Sequence, residues 1–119
     1  MLLCSGKVAH DLADALEKRP EARCRIVRIE QLYPIPAEAL REVLARHPGL
    51  TEVVWVQEEA RNHGAWPVLR DWLEAALPTG VRLRCVSRPE SAPSAGCRRD
   101  AHLAELQELV CKALDTPSP

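Results

Sequence analysis

Residues 53–66 read Val-Val-Trp-Val-Gln-Glu-Glu-Ala-Arg-Asn-His-Gly-Ala-Trp and contain the sharpest change of character in the chain. The β-branched and aromatic run at 53–56 is typical of a buried strand. It gives way abruptly to amide, carboxylate, imidazole and glycine, and a new helical pattern begins at Trp66. In an open α/β sheet, ligands and partners bind at such junctions. We therefore expect a functional surface here.

The rest of the chain repeats the alternation of short strands with amphipathic helices. Strands are predicted over residues 1–4, 24–29, 53–56 and 81–87, and helices begin at Val8, Pro36, Trp66 and His102. This order favours a mostly parallel sheet covered by helices on both faces and joined by right-handed crossovers. Apolar and arginine residues alternate in the last strand, which indicates one exposed face and a place near the sheet edge.

Each predicted helix carries an apolar stripe at helical spacing, and these stripes predict the core. The stripe residues are Val8, Leu12, Ala15 and Leu16; Leu40, Val43 and Leu44; Val68, Leu69, Trp72, Leu73, Ala76 and Leu77; and Leu103, Leu106, Leu109, Val110, Ala113 and Leu114.

Composition narrows the class of protein. At 119 residues the chain fits one domain that buries roughly two-thirds of its unfolded surface. With 16 Lys+Arg and 17 Asp+Glu it has no basic field for nucleic acid or anionic membrane, and no apolar run reaches the length of a bilayer span. Five cysteines without a C-x-x-C pair are interpreted as free thiols of an intracellular protein. The first strand begins without a preceding turn, which suggests a fragment.

Polar residues follow two of the predicted strands. Glu30 and Gln31 end the second strand, and residues 57–59 end the third. If these strands are parallel neighbours, the polar groups gather along one edge of the sheet. Glu58 and Glu59 resemble an acid/base pair, but adjacent residues of an extended segment point to opposite sides. We favour a structural role, with one carboxylate accepting backbone or arginine hydrogen bonds and the other facing solvent or a partner domain.

Other candidate groups also have an ordinary structural interpretation. His63 could act as a general base, but no nucleophile motif accompanies it, and a hydrogen-bonded loop imidazole is the simpler interpretation. The turn at residues 5–7 could hold an anion, although a tight connection with a solvated lysine is favoured. Arg88, Arg98 and Arg99 frame a loop that could receive phosphate or carboxylate, or could simply be solvated. The histidines show no ligand spacing, so we expect neither a metal site nor a catalytic residue.

Several segments together resemble the C-terminal domain of the thiamine-diphosphate-dependent first component of 2-oxoglutarate dehydrogenase. The central motif is Trp-x-Gln-Glu-Glu-x-x-Asn-x-Gly-Ala-Trp at residues 55–66. Four further segments keep the family's order: Cys-Ser-Gly-Lys-Val at 4–8, Arg-Ile-Glu-Gln-Leu-Tyr-Pro-Ile-Pro at 28–36, Ser-Arg-Pro at 87–89, and a closing helix from His102. The resemblance spans nearly the whole chain.

The resemblance implies a three-layer α/β/α fold like the transketolase C-terminal domain, with a mostly parallel mixed sheet that contains one antiparallel strand. In that family, thiamine diphosphate with Mg and 2-oxoglutarate bind to larger upstream domains, so residues 1–119 alone should bind neither and be inactive. The domain completes a homodimer and borders a regulatory site for acetyl-CoA or AMP. The parent enzyme passes a succinyl group to the lipoyl-lysine of an acyltransferase, and a bacterial cytoplasmic location is expected.

Seven residues are the resulting candidates for an interdomain or effector site: Gln57, Glu58, Glu59, Asn62, His63, Arg88 and Arg98. The chain departs from the family at His63, where many relatives have glutamine, and at residues 97–100. Two alternatives stay open: a free-standing module that binds an adenine nucleotide or acyl-CoA, and the same domain of a 2-oxoadipate dehydrogenase.

Overall fold

The computed structural model describes residues 1–92 and 99–115, apart from the side chains of residues 99 and 100. Strands and helices alternate along these residues, as the sequence predicts. In chain order they are β1 Leu2–Cys4, α1 Val8–Glu17, β2 Ile26–Arg28, α2 Ala37–Ala45, β3 Glu52–Ala60, α3 Trp66–Ala76, β4 Arg82–Arg88 and α4 Arg99–Leu114.

The strands form one sheet in the order β2-β1-β3-β4. Every described pairing is parallel, with Leu3 of β1 opposite both Val27 of β2 and Trp55 of β3. The antiparallel strand that the resemblance implies is not among the described residues. The predicted edge position of β4 is confirmed, because β4 pairs with β3 alone within the described sheet.

Helices cover both faces of the sheet, which confirms the three-layer α/β/α prediction. Because successive strand residues point to opposite faces, each strand supplies two cores. Leu2, Val54 and Val56 pack with residues of α1 and α4, and Leu3 and Trp55 pack with residues of α2 and α3. The central strands β1 and β3 are therefore buried on both sides.

The third strand is longer than predicted and the second is shorter. β3 continues through residues 57–60, where we had expected a loop, and β2 keeps only the middle of residues 24–29. Val56 pairs with Val86, but the next pairing joins Ala60 to Arg88, so residues 57–59 lie opposite Ser87 alone. A bulge of this kind lets a strand carry extra residues without ending, which is why the polar composition did not stop β3.

Two residues of the predicted apolar stripes are exposed. Val68 is 76% exposed, because it lies about 100° around the helix from Leu69 and only one side of α3 meets the sheet. Leu103 is 53% exposed. In this part of α4, His102 and Leu106 face the strand residues Glu58 and Arg88, and Leu103 lies about 100° around the helix from His102.

The cysteines in the described residues are free thiols, as predicted. Cys4 and Cys85 lie in strands, Cys24 precedes β2, and Cys111 is exposed on α4. Burial raises the pKa of Cys4 to about 11 and also raises the pKa of Cys85, so the strand thiols stay protonated at neutral pH.

No helix in the described part of the chain is both long and apolar enough to cross a membrane.

We expect Leu73→Ala to lower the free energy of unfolding by about 2–5 kcal/mol, because Leu73 is fully buried in α3 and its truncation leaves a cavity. Val68→Ala on the same helix is the matched control and should change it by less than about 0.5 kcal/mol. Urea denaturation followed by circular dichroism measures both. Equal losses in the two variants would contradict the packing of α3.

Candidate functional site

The side chain of Gln57 is the centre of the junction between β3 and α3. It is only 3% exposed. Its Oε1 accepts hydrogen bonds from Trp55 Nε1 at 2.9 Å and from the Trp66 backbone N–H at 3.0 Å. Its Nε2 donates to the carbonyl oxygens of Ala60 and His63, each at 2.9 Å. All four hydrogen-bonding positions of the amide are therefore filled.

Strand alternation explains why Gln57 reaches this position. Residues Trp55 and Gln57 are two apart and share a face of β3, so the amide lies beside the indole. The bulge then brings Ala60 and His63 back over the amide. The Gln57 side chain thus forms hydrogen bonds with backbone groups of Ala60, His63 and Trp66 at the point where the strand gives way to the helix.

Gly64 allows the chain to close this turn. Its φ is +64°, in the left-handed region that favours glycine. A Cβ at this position would lie 3.0 Å from Glu59 Oε2 and 3.1 Å from Glu59 Cβ. Any larger residue would therefore strain the backbone and push against Glu59.

Glu58 and Glu59 do point to different environments, as predicted: Glu58 is half-buried and Glu59 is exposed. We had expected one of the two carboxylates to accept a hydrogen bond from the backbone or from an arginine, but the arginine contacts a backbone carbonyl instead. Arg88 Nε donates to the backbone carbonyl of Glu58 at 2.8 Å, and Arg88 Nη1 lies 3.5 Å from Glu105 of α4. Arg88 therefore belongs to β4 rather than to a loop, and it ties the bulge to α4.

Asn62 and His63 both form hydrogen bonds that stabilise the loop between β3 and α3. Asn62 Nδ2 donates to the Ser91 carbonyl at 2.9 Å, and the Ser91 N–H donates to Asn62 Oδ1 at 3.2 Å. This pair fastens the segment after β4 to the loop. The described hydrogen bonds of His63 are made by its backbone, to Ala60 and Gln57. They do not involve the imidazole that we had expected to be bonded.

The predicted gathering of strand-end polar groups is only partly observed. β1 lies between β2 and β3, so Glu30 and Gln31 are not neighbours of Gln57. Gln31 Nε2 instead donates to the Pro34 carbonyl at 2.9 Å, and Glu30 lies 3.4 Å from Arg28. These polar groups stabilise their own turn.

A crevice of about 330 Å³ opens at the carboxyl end of the sheet between β1 and β3. The chain leaves β1 toward β2 and leaves β3 toward β4, so the order of the strands reverses here. Such a switch point is the usual ligand-binding position of open α/β sheets. The crevice is lined by residues 5–7, Leu32, Trp55, residues 57–59, Gly64 and Ala65.

The charge of this crevice does not favour an anion. The Nζ of Lys7 contacts Asp11 Oδ1 at 3.2 Å and Oδ2 at 3.0 Å, and the pKa of Lys7 is raised chiefly by this hydrogen bond. The favoured interpretation of residues 5–7, a tight connection with an exposed lysine, is thus supported. Glu58 and Glu59 add two carboxylates to the crevice.

A second depression of about 460 Å³ runs along the edge of β4 and has the opposite character. Four of its lining residues are cationic and one, Asp115, is acidic. The cations are Arg61, Arg84, Arg88 and Lys112. We call this depression the basic groove.

Arg98 lies outside the described residues, and so does Cys97. Within the described residues, no group of three or more His, Cys, Asp and Glu side chains could hold a metal ion. Sequence reasoning missed Ser91 and the packing of Trp55 and Trp66 around Gln57. Only the two-residue spacing of Trp55 and Gln57 could have indicated part of that arrangement.

These features define the class: a three-layer α/β domain with a crevice at the switch point of a parallel sheet. The chain belongs to the 2-oxoglutarate dehydrogenase C-terminal family, whose model matches residues 1–114.

Named relatives agree with this family. The chain is 41% identical over 117 residues to the 2-oxoglutarate dehydrogenase E1 component of Shouchella clausii. It is 37% identical over 116 residues to that of Bacillus subtilis and 38% identical over 114 residues to that of Haemophilus influenzae. Each match covers 96% of this chain but only 12% of the relative.

We expect Gln57→Met to lower the free energy of unfolding by about 3 kcal/mol at nearly constant volume. The change leaves two buried N–H donors and the His63 carbonyl without their partner, whereas the Ala60 carbonyl keeps the His63 N–H. Gln31→Met is the control. It removes one exposed hydrogen bond and should cost less than about 0.5 kcal/mol. Chemical denaturation measures both, and matching midpoints would show that the amide does not organise the junction.

We expect Gly64→Ala to destabilise the fold by about 1–2 kcal/mol through left-handed backbone strain and the close approach to Glu59. Gly49→Ala is the matched control, because Gly49 lacks a positive φ and a Cβ added there would have no heavy atom within 4 Å. Thermal unfolding of both variants gives their melting temperatures, and that of Gly64→Ala should be the lower. A Gly49 variant as unstable as the Gly64 variant would contradict this assignment.

Proposed function

We propose that this chain is the C-terminal assembly and regulatory domain of a 2-oxoglutarate dehydrogenase E1 component. The parent enzyme would decarboxylate 2-oxoglutarate and pass the succinyl group to a lipoyl-lysine. The observation that carries the proposal is the family match over residues 1–114, together with named relatives of which this chain spans only 12%. Most of such an enzyme therefore lies outside the matched segment.

The crevice at the switch point is a poor match for the diphosphate of thiamine diphosphate. A diphosphate needs cations or free backbone N–H groups, but the crevice at the switch point presents Glu58 and Glu59 and a lysine already paired with Asp11. We therefore assign the cofactor and the reaction to other parts of the enzyme. Residues 1–119 contribute assembly rather than chemistry.

The basic groove supports the regulatory part of the proposal. Acetyl-CoA and AMP, the effectors that the resemblance implies, both carry phosphate groups. Arg61, Arg84 and Arg88 border this groove with Lys112, whereas carboxylates border the crevice. Three of the four cations already have carboxylate partners: Arg84 with Glu52, Arg88 with Glu105 and Lys112 with Glu108. An anionic effector would exchange with or share these partners, and the groove suits it better than the crevice because it has three guanidinium groups, which bind phosphate well. The groove includes Arg61 after β3 and Arg88 at the end of β4, so the alternative of an adenine nucleotide module at the sheet's carboxyl edge stays open.

The proposed partners are the upstream domains of the same chain, a second copy of the whole enzyme in a homodimer, and the lipoyl-bearing acyltransferase. The proposed compartment is the bacterial cytoplasm, in keeping with the bacterial sources of the named relatives.

We expect the isolated 119-residue chain to show no 2-oxoglutarate turnover with thiamine diphosphate, Mg and an artificial electron acceptor. A Bacillus subtilis E1 component whose matched segment is replaced by this chain should assemble and turn over 2-oxoglutarate, because the replacement supplies an equivalent domain. Dye reduction measures activity, and light scattering measures assembly.

The same enzyme lacking the segment is the negative control. Turnover by the isolated chain would overturn the proposal. So would a replacement enzyme that behaves no better than the enzyme lacking the segment.

A further inference from the structure

One aromatic side chain stands out on the surface of the domain. Tyr33, between β2 and α2, is 92% exposed, more than any other large hydrophobic residue in the described part of the chain. Aromatic side chains are enriched among the residues that contribute most to protein interfaces. Full exposure of a tyrosine is therefore a reason to look for a partner surface.

The backbone holds Tyr33 in place from both sides. Leu32 and Ile35 pack against the core formed with α2 and α3. Gln31 Nε2 holds the Pro34 carbonyl at 2.9 Å, and the Ala37 N–H donates to the Ile35 carbonyl at 2.8 Å. An exposed side chain on a constrained backbone loses less conformational entropy on binding than one on a flexible loop.

Tyr33 directly follows Leu32, which is one of the crevice's lining residues, so its backbone lies next to the crevice. Glu58 and Glu59 also line the crevice. Neither carboxylate takes part in an ion pair with another described residue. Lys7 also lines the crevice near Glu58, but its Nζ is bonded to Asp11. The crevice therefore has an excess of carboxylates beside an exposed aromatic side chain, a combination that suits a basic side chain next to an apolar surface.

We propose that this rim, Tyr33 with Glu58 and Glu59, is the surface on which the domain docks onto the rest of an E1 chain. A basic segment of that chain enters the crevice with an arginine or lysine, and Tyr33 packs against apolar surface beside it. The inference rests on the proposed function. This domain represents only 12% of each relative, so a large body of protein remains for it to contact. The carboxylates of the crevice are the reason why the docking segment is proposed to be basic.

Hydrogen exchange with mass spectrometry tests the inference on two intact proteins: the 119-residue chain and the Bacillus subtilis replacement enzyme described above. Backbone amides in residues 29–35 and 57–65 should exchange at least tenfold more slowly in the replacement enzyme. The turn at residues 78–80, which follows α3 away from the crevice, should change little and serves as the internal control.

Variants then identify the side chains responsible. Tyr33→Ser, and Glu58→Gln combined with Glu59→Gln, should each abolish most of this protection in the replacement enzyme. Val68→Ser is the matched control, because Val68 is also an exposed apolar residue but neither of its chain neighbours lines the crevice. The melting temperature of each isolated variant chain should stay close to that of the parent, which separates loss of docking from loss of folding.

The outcomes separate the two proposals. An active, assembled replacement enzyme in which both segments exchange as fast as in the isolated chain would overturn the docking inference alone. Equal effects of Tyr33→Ser and Val68→Ser would also overturn it. Protection that arises in the isolated chain on raising its concentration would assign the rim to a second copy of this chain instead. An inactive, unassembled replacement enzyme would overturn the proposed function and the inference with it.

Discussion

The junction at the end of β3 depends on one buried amide. Gln57 satisfies two N–H donors and two carbonyl acceptors that belong to the strand, the bulge and the start of α3. Each of these groups would be costly to bury without a partner. The amide therefore fixes where the strand stops, and it sets the direction in which α3 leaves the sheet. The crevice, the loop at residues 61–65 and the contacts of Arg88 all follow from that geometry.

The order of the strands separates two surfaces of opposite charge. β1 and β3 are parallel neighbours, but the chain crosses from β1 to β2 on one side and from β3 to β4 on the other. The acidic crevice opens between them at this point. β4 lies at the edge of the described sheet and carries the basic groove. A domain that is nearly neutral overall, with a formal net charge of −1, thus has two surfaces of opposite charge.

Most of the fold could be predicted from the sequence because its elements obey simple periodicities. The alternation of strands and helices, the buried faces around Leu12, Leu40 and Leu73, and the edge position of β4 all agree with the prediction. The site was predicted less well. The local contacts of the candidate residues were not foreseen: Gln57 is a buried group that organises the junction, and Arg88 donates to the carbonyl of Glu58 while it also lines the basic groove. Val68 and Leu103 fit the helical period but are exposed.

The sequence by itself determined the class of fold, the core stripes and the family, because these depend on local periodicity and on an ordered series of motifs spanning the chain. Only the tertiary structure decided what the polar residues after β3 do. Their roles depend on the bulge between Val56 and Ala60 and on β1 lying between β2 and β3. Both are relations between segments distant in sequence, and no local pattern encodes them, because a hydrogen bond or a charge acts on whatever group the fold brings within reach.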